Sequence, residues 1–411
     1  MAIAILGGGI LGVCTALELA DRGHRVVLFE RNSELFAEAS LYNEGKLHLG
    51  FVYAADSSFR TAERMIHGAS RFAEILQRWL PASVIEALPS SSFDYIVHRD
   101  SMLTVRTIED HFQRVRAALI ESMPANRSPL PLDSSRPHWR RLSSEELSLR
   151  YNPGRVDAAY ETCELSVDPW LIGQHLRAVV LEHPGIELVR RARVTDVWDR
   201  TDGKYDVHFE QDGVRHRGPF TGVINALWAN RPAIDQKYGL QDPGPWFTRR
   251  KLGVNIQASG SGSAIPSFTV MLGPFGDVVR YQSGRVYLSW YPVCMIGTTT
   301  GTEETDWTAV LHKIDRAHIR RVTIDALSEL CPAVRTLASI DPENYVVNGG
   351  SIFALGKSDI VDPKSQLHER FNVGMNGRGT YLSVDTAKFT LGPLMALETA
   401  ERMSALISTG S

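Results

Sequence analysis

The chain opens on an unbroken apolar run, Ala2 to Leu6, that stops at glycine, the pattern of a buried strand in a parallel sheet. From Ile10 to Asp21 apolar residues recur at helical spacing until Gly23. Arg25 to Glu30 then reads as a second strand that ends in a carboxylate. Arg60 to Leu80 carries a helical pattern, and the two strand-like runs of Asp94 to Val105, split by His98-Arg-Asp100, predict a hairpin. Asp168 as N-cap and Pro169 in the first turn open a helix to about Glu182. Strands are expected at Gly185 to Val189, Ala192 to Trp198, Tyr205 to Phe209 and Gly222 to Ala226. The most β-like stretch is Arg249 to Gly297, whose runs Phe268 to Leu272, Asp277 to Tyr281 and Arg285 to Pro292 predict an antiparallel sheet, with Ser259 to Ser263 as a hairpin loop. A helical stretch follows from about Asp306 to Leu330. Phe371 to Ala387 reads as strand, glycine-rich turn and helix.

Composition narrows the class without naming a chemistry. With 411 residues the chain has room for two substantial domains, and 43% hydrophobic with 22% charged residues is ordinary for a globular protein. A formal charge of -3 offers no electrostatic footprint for a nucleic-acid backbone. Cys14, Cys163, Cys294 and Cys331 lie far apart, so neither a disulfide framework nor a metal site is expected, and a cytoplasmic location is the natural reading. The apolar N-terminal stretch lacks the positively charged leader of a signal peptide, and no run is long enough for a spanning helix.

The first chemical signal is Gly7-Gly8-Gly9-Ile10-Leu11-Gly12, which fits GxGxxG between the first strand and helix. Gly7 suits the tight turn, Gly9 lets backbone approach a pyrophosphate, and Gly12 lets helix and strand pack closely. Glu30, about twenty residues on, can accept hydrogen bonds from the ribose hydroxyls of an adenosine. The fingerprint alone does not separate NAD from FAD.

Beyond it, Ala39-Ser-Leu-Tyr-Asn-Glu-Gly-Lys-Leu-His-Leu-Gly-Phe51 resembles the loop that the D-amino-acid-oxidase-like (DAO) superfamily places against its flavin, and the chain resembles glycine and sarcosine oxidases in the order of its segments. The same stretch is similar to one in enzymes that oxidise L-2-hydroxyglutarate. The resemblance implies FAD, held by Gly7, Gly9, Ile10, Leu11, Gly12, Glu30, Arg31, Ser40, Asn43, Glu44, Gly45, Lys46 and Leu47. It further implies Val194 on adenine, Ala226 and Gly350 nearby, and a C-terminal flavin loop at Gly377, Arg378, Gly379, Thr380 and Tyr381, where a helix N-terminus or Arg378 would meet the charge of the reduced ring. Two departures stand out. Asn225-Ala226-Leu227 replaces the family's Ala-Ala-Gly, and no arginine stands near Ile352, where related amino-acid oxidases bind a carboxylate; Arg280 and Arg378 are the substitutes. Cys331 does not match the position at which sarcosine-type relatives attach flavin, so the FAD is expected to be non-covalent.

The expected fold is therefore α/β, a Rossmann-like FAD-binding domain from residues 1–85, 155–230 and 340–411, with an inserted α+β substrate domain of antiparallel sheet from 86–154 and 231–339. If Lys46 to Val52 is extended, alternation sets Lys46, His48 and Gly50 on one face, making His48 the candidate base and Lys46 a cation near the flavin. Tyr287, Ser289 and Tyr291 share a face in the same way, with Tyr291 a candidate substrate contact. The reading is hydride transfer from a small amine or amino acid to flavin N5, giving an imine, with O2 or another acceptor restoring the flavin. Oxidation of a 2-hydroxy acid is the alternative, and a FAD-binding module with a degraded site is the non-enzymatic one.

Overall fold

A computed structural model describes residues 2–122, 132–241, 243–258, 264–303 and 305–409. The predicted loop at Ser259 to Ser263 lies outside the described residues. Apolar runs at Ala2–Leu6, Arg25–Phe29 and Gly222–Asn225 form the centre of a six-stranded sheet. Its order is Gly374–Arg378, Tyr381–Asp385, Gly222–Asn225, Ala2–Leu6, Arg25–Phe29, Ile186–Val189, parallel except for the first. Leu6 stands in register with both Phe29 and Asn225, so the carboxyl ends of the strands deliver Gly7, Glu30 and Ala226 to one edge. That edge, where the crossover direction changes, is where ligands bind in open α/β sheets. The helix Ile10–Asp21 buries one face of the sheet together with Gly392–Thr409, and a three-stranded antiparallel layer, Ala192–Asp199, Tyr205–Gln211 and Val214–Phe220, covers the other.

A second, nine-stranded sheet is built on the long strand Trp246–Gln257, which pairs with Arg285–Trp290, Met295–Thr300 and Tyr345–Leu355. The sheet continues through Gly276–Arg280, Ser267–Val270, Phe93–His98, Val156–Thr162 and Trp139–Arg141, antiparallel apart from Ser267–Val270 against Phe93–His98. One face packs on the helix Arg316–Leu330 in a separate apolar core, and the other looks toward the carboxyl edge of the first sheet. Asp168 joins the two sheets: it caps the helix Pro169–Glu182 and accepts from the guanidinium of Arg285.

Several expectations change. The hairpin expected over Asp94 to Val105 is one strand, Phe93–His98, followed by the helix Val105–Ser122, because Ile108, Phe112, Val115 and Leu119 recur at helical spacing and are buried. The helical stretch 306–330 is two helices, the second capped by Asp315 on the His318 amide. Val156–Thr162 and Tyr345–Leu355, assigned from sequence to the FAD-binding part, lie in the nine-stranded sheet, paired with Phe93–His98 and Trp246–Gln257. Phe371 to Ala387 is a β-hairpin, and the helix begins only at Gly392.

Candidate active site

One crevice runs between the two sheets. At its first end the loop after Ala2–Leu6 turns into a helix whose first N–H groups have no partner within the helix. The Ile10 amide donates to Ser40 Oγ at 3.0 Å. Glu30 is buried and fixed: one oxygen accepts the Gly8 amide at 2.9 Å and the other accepts the Asn32 amide at 2.7 Å. Gly12 touches the turn so closely that a β-carbon there would lie 1.8 Å from the Gly7 carbonyl oxygen. Asn43 holds the next loop through its donation to the Ala39 carbonyl at 2.8 Å and its acceptance from the Gly45 amide at 2.6 Å.

The crevice brings together Gly7, Gly9, Ile10, Leu11, Glu30, Arg31, Ser40, Asn43, Glu44, Lys46, His48, Val194, Ala226, Tyr291 and Gly350. Gly12, Gly45 and Leu47 stand just behind its wall. A helix N-terminus facing a glycine turn, with a fixed carboxylate at the neighbouring strand end, is the donor and acceptor set an adenine dinucleotide requires, so these residues fit FAD.

Gly377, Arg378, Gly379, Thr380 and Tyr381 do not line the crevice. The strands of the first sheet start beside Ala2, Gly222 and Tyr381, and the turn at 378–380 sits at that amino end, opposite the crevice. There Arg378 pairs with Asp199 at 2.9 Å, Thr380 donates to the Thr221 carbonyl, and Tyr381 donates to Asp235. The carboxyl end of the same hairpin supplies Val384, Thr386, Ala387, Lys388 and Phe389 to the crevice instead. Leu227 lines the wall, but its amide donates to Asn225 Oδ1 at 3.3 Å rather than across the crevice.

At the second end Lys46 and His48 follow one another on a short extended piece, which ends at Gly50 (φ 103°) where the turn Phe51–Tyr53 begins. Thr390 clamps this piece, accepting the His48 amide at 3.1 Å and donating to the Lys46 carbonyl at 2.8 Å. His48 is buried, its ring 5.2 Å from that of Tyr53, and neither its Nδ1 nor the Tyr53 hydroxyl has a hydrogen-bond partner among the described residues. Burial, reinforced by Lys388, Lys46 and Arg370, holds the imidazole well below its ordinary pKa, so it is neutral near pH 7. Lys46 donates to Thr269 and lies 3.4 Å from Asp277. Although burial works against it, Lys46 and Lys251 hold the Asp277 carboxyl below its usual range.

The arginines sought from sequence are elsewhere: Arg280 donates to the Ile265 carbonyl and does not line the crevice. Arg249 and Arg370 do, with Lys251 and Lys388. Arg249 pairs in register with Ile352, so the cation missing from one strand stands on its neighbour. Alternation along Trp246–Gln257, which sets Arg249 and Lys251 on one face, was the available signal. Arg370 and Lys388 lie in irregular segments that have no such signal. Burial, with Arg249 adding to it, lowers Arg370 to about 10, and burial lowers Lys388 to about 8. Cys331 is fully buried in the second core, and none of the four cysteines lines the crevice.

A Rossmann-like sheet facing a largely antiparallel sheet across this crevice defines the class, a protein built to hold an adenine dinucleotide at a sheet edge, and the family match says which dinucleotide. The chain belongs to the DAO family, described as FAD dependent oxidoreductase, whose model matches residues 2–402. Among solved structures it is similar to L-alpha-glycerophosphate oxidase from Mycoplasma pneumoniae with FAD bound (TM-score 0.66, 16% identity, covering 99% of this chain and 94% of that one). It is also similar to glycine oxidase from Geobacillus kaustophilus (TM-score 0.63, 16% identity, 99% and 94%). Among curated proteins, FAD-dependent monooxygenase FPY4 of Fusarium mangiferae is 38% identical over 105 residues, 24% of this chain and 28% of that protein. Glycerol-3-phosphate dehydrogenase [NAD(P)+] of Bacillus velezensis is 26% identical over 180 residues, 43% and 50%. The chain thus matches half or less of the length of these two curated relatives.

Proposed function

We propose that the chain oxidises a small anionic 2-hydroxy acid to the 2-oxo acid. The observation that carries this is His48: a buried, neutral imidazole with an unpartnered Nδ1, in the wall of a cavity rich in fixed cations. An alcohol must lose its O–H proton as hydride leaves the carbon, and a neutral imidazole is the group that accepts it. Arg249 supplies donors for the acid group, and Arg370 and Lys388 add positive charge beside it. FAD, when bound, supplies the hydride acceptor at N5 and is restored by O2 or another acceptor. The proton remains on His48, whose new charge the surrounding cations disfavour, so its release to solvent is favourable.

A second reading, oxidation of a small amine or amino acid to an imine, draws support from the same cations, which favour the neutral amine that can release hydride. The solved neighbours of this fold include a glycerophosphate oxidase and a glycine oxidase, so the fold does not favour one reading over the other. Anaerobic mixing of the holoenzyme with matched pairs of 2-hydroxy and 2-amino acids decides: bleaching of the flavin by hydroxy acids supports the first reading, and bleaching by the amino acids alone replaces it with the second.

A further inference from the structure

Inside the substrate end of the crevice, positive charge outnumbers negative. Lys46, Arg249, Lys251, Arg370 and Lys388 all line it. Two carboxylates, Asp277 and Glu44, line it with them, while Asp359, Asp385 and Glu164 act from outside the lining, Asp385 on Arg370 although it is held 3.5 Å from Arg231, and Glu164 on Lys46. Asp277 lies 3.4 Å from Lys46 and 3.8 Å from Lys251, Asp359 lies 3.0 Å from Arg249, and Glu44 faces Lys251 and Lys388 through its field. Glu164 does not line the cavity; behind the wall it is held by the Tyr95 hydroxyl and the Leu49 amide.

The surplus is localised. Arg370 is 4% exposed, its side chain donates to the Phe353 carbonyl and makes no ion pair among the described residues, and Asp385 reaches it only through its field. The Lys388 backbone is bonded to Thr386 and Leu391, but its side chain makes no hydrogen bond or ion pair among the described residues. Arg249 keeps its Nε, and Tyr53 its hydroxyl, buried and without a partner among the described residues. Unpaired buried cations and donors are costly, so their shared surroundings are organised for an anion that arrives from outside.

The cofactor does not meet this demand before the substrate enters. Its pyrophosphate belongs at the Gly7 to Leu11 end, and an oxidised flavin ring is neutral. We propose that the substrate carries two negative charges at neutral pH, as a second carboxylate or as a phosphate, and that Arg370 and Lys388, with the free edge of Arg249, are the residues that select it. This rests on the reading that the cavity takes a small anionic substrate, and it deepens that reading by fixing the charge.

The test is binding without turnover. Holoenzyme is titrated with acetate, malonate and inorganic phosphate, none of which can donate hydride, and the perturbation of the flavin spectrum gives each Kd. Malonate, phosphate or both are expected to bind at least about tenfold more tightly than acetate. Lys388→Met and Arg370→Met are each expected to weaken the tight dianion by about tenfold while changing acetate by less than about threefold. Which dianion is preferred tells a carboxylate from a phosphate. Dianions no tighter than acetate, or variants that weaken acetate equally while retaining FAD, overturn the proposal. Should Arg370→Met not fold, Lys388→Met, at a half-buried position, carries the test alone. Because no oxidation is read, failure of hydroxy acids to bleach the flavin leaves this result intact.

Discussion

Gly7 and Ala226 meet where two parallel strands end: a β-carbon on Gly7 would stand 2.7 Å from the Ala226 carbonyl oxygen, and Gly7 has φ 105°. The glycine turn of the dinucleotide site is therefore pinned against the neighbouring strand, so that close approach and backbone conformation both exclude a side chain. Gly7→Ala is expected to abolish FAD retention on purification and to destabilise the apoprotein by about 2 kcal/mol. Visible absorbance and thermal melts check both.

Glu30 organises the same turn from the other side, accepting from Gly8 and Asn32. Glu30→Ala leaves these amides without acceptors and removes the carboxylate that a bound ribose would meet. FAD affinity is expected to fall by about ten- to a hundredfold, read by titration of the apoprotein with FAD.

His48→Gln is expected to lower kcat by about 10² to 10⁴ with FAD content unchanged, since general-base contributions lie in that range. The pH dependence has a definite sign. The folded-state pKa lies below the unfolded value of about 6.5, so as pH falls through that value the unfolded chain takes up a proton that the folded chain refuses. Stability is lost on the acid side, and His48→Gln should show a smaller fall in Tm between about pH 7 and pH 5. An equal fall in both proteins would show that His48 is protonated in the fold.

Arg378 offers a contrast. Its side chain is exposed and paired with Asp199 at the amino end of the sheet. Arg378→Ala is expected to leave FAD content and turnover unchanged and to cost no more than about 1 kcal/mol, the ordinary value of a surface ion pair. A pronounced loss of flavin would place the turn back at the cofactor.

With all four cysteines buried away from the crevice, the flavin has no cysteine to join. Acid precipitation is expected to leave a yellow supernatant and a colourless pellet, and Cys331→Ser to retain full FAD content.

Local order was legible in the chain because it is enforced locally. The run Ala2 to Leu6, the glycines to Gly12 and the carboxylate of Glu30 announce strand, turn, helix and strand from neighbouring residues alone, as does the Asp168-Pro169 helix start. Alternation likewise set Lys46 and His48 on one face. What failed depended on partners distant in sequence. Gly377 to Tyr381 has the composition of a glycine-rich flavin loop, yet which end of a sheet a turn occupies is decided by the direction of the strand beside it. Tyr345–Leu355 joined the second sheet because Trp246–Gln257 offered it an eleven-residue ladder.

The sequence by itself determined a dinucleotide turn, its acidic partner and a histidine on a polar face, since each is written in residues within one or two elements of each other. Only the tertiary structure decided the charge of the cavity. Lys46, Arg249, Lys251, Arg370 and Lys388 come from a short extended piece, a central strand, an irregular loop and the segment after a hairpin, and their excess over the lining carboxylates Asp277 and Glu44 exists only where those elements converge. Electrostatic energy depends on distance through space, and distance along the chain carries almost none of that information.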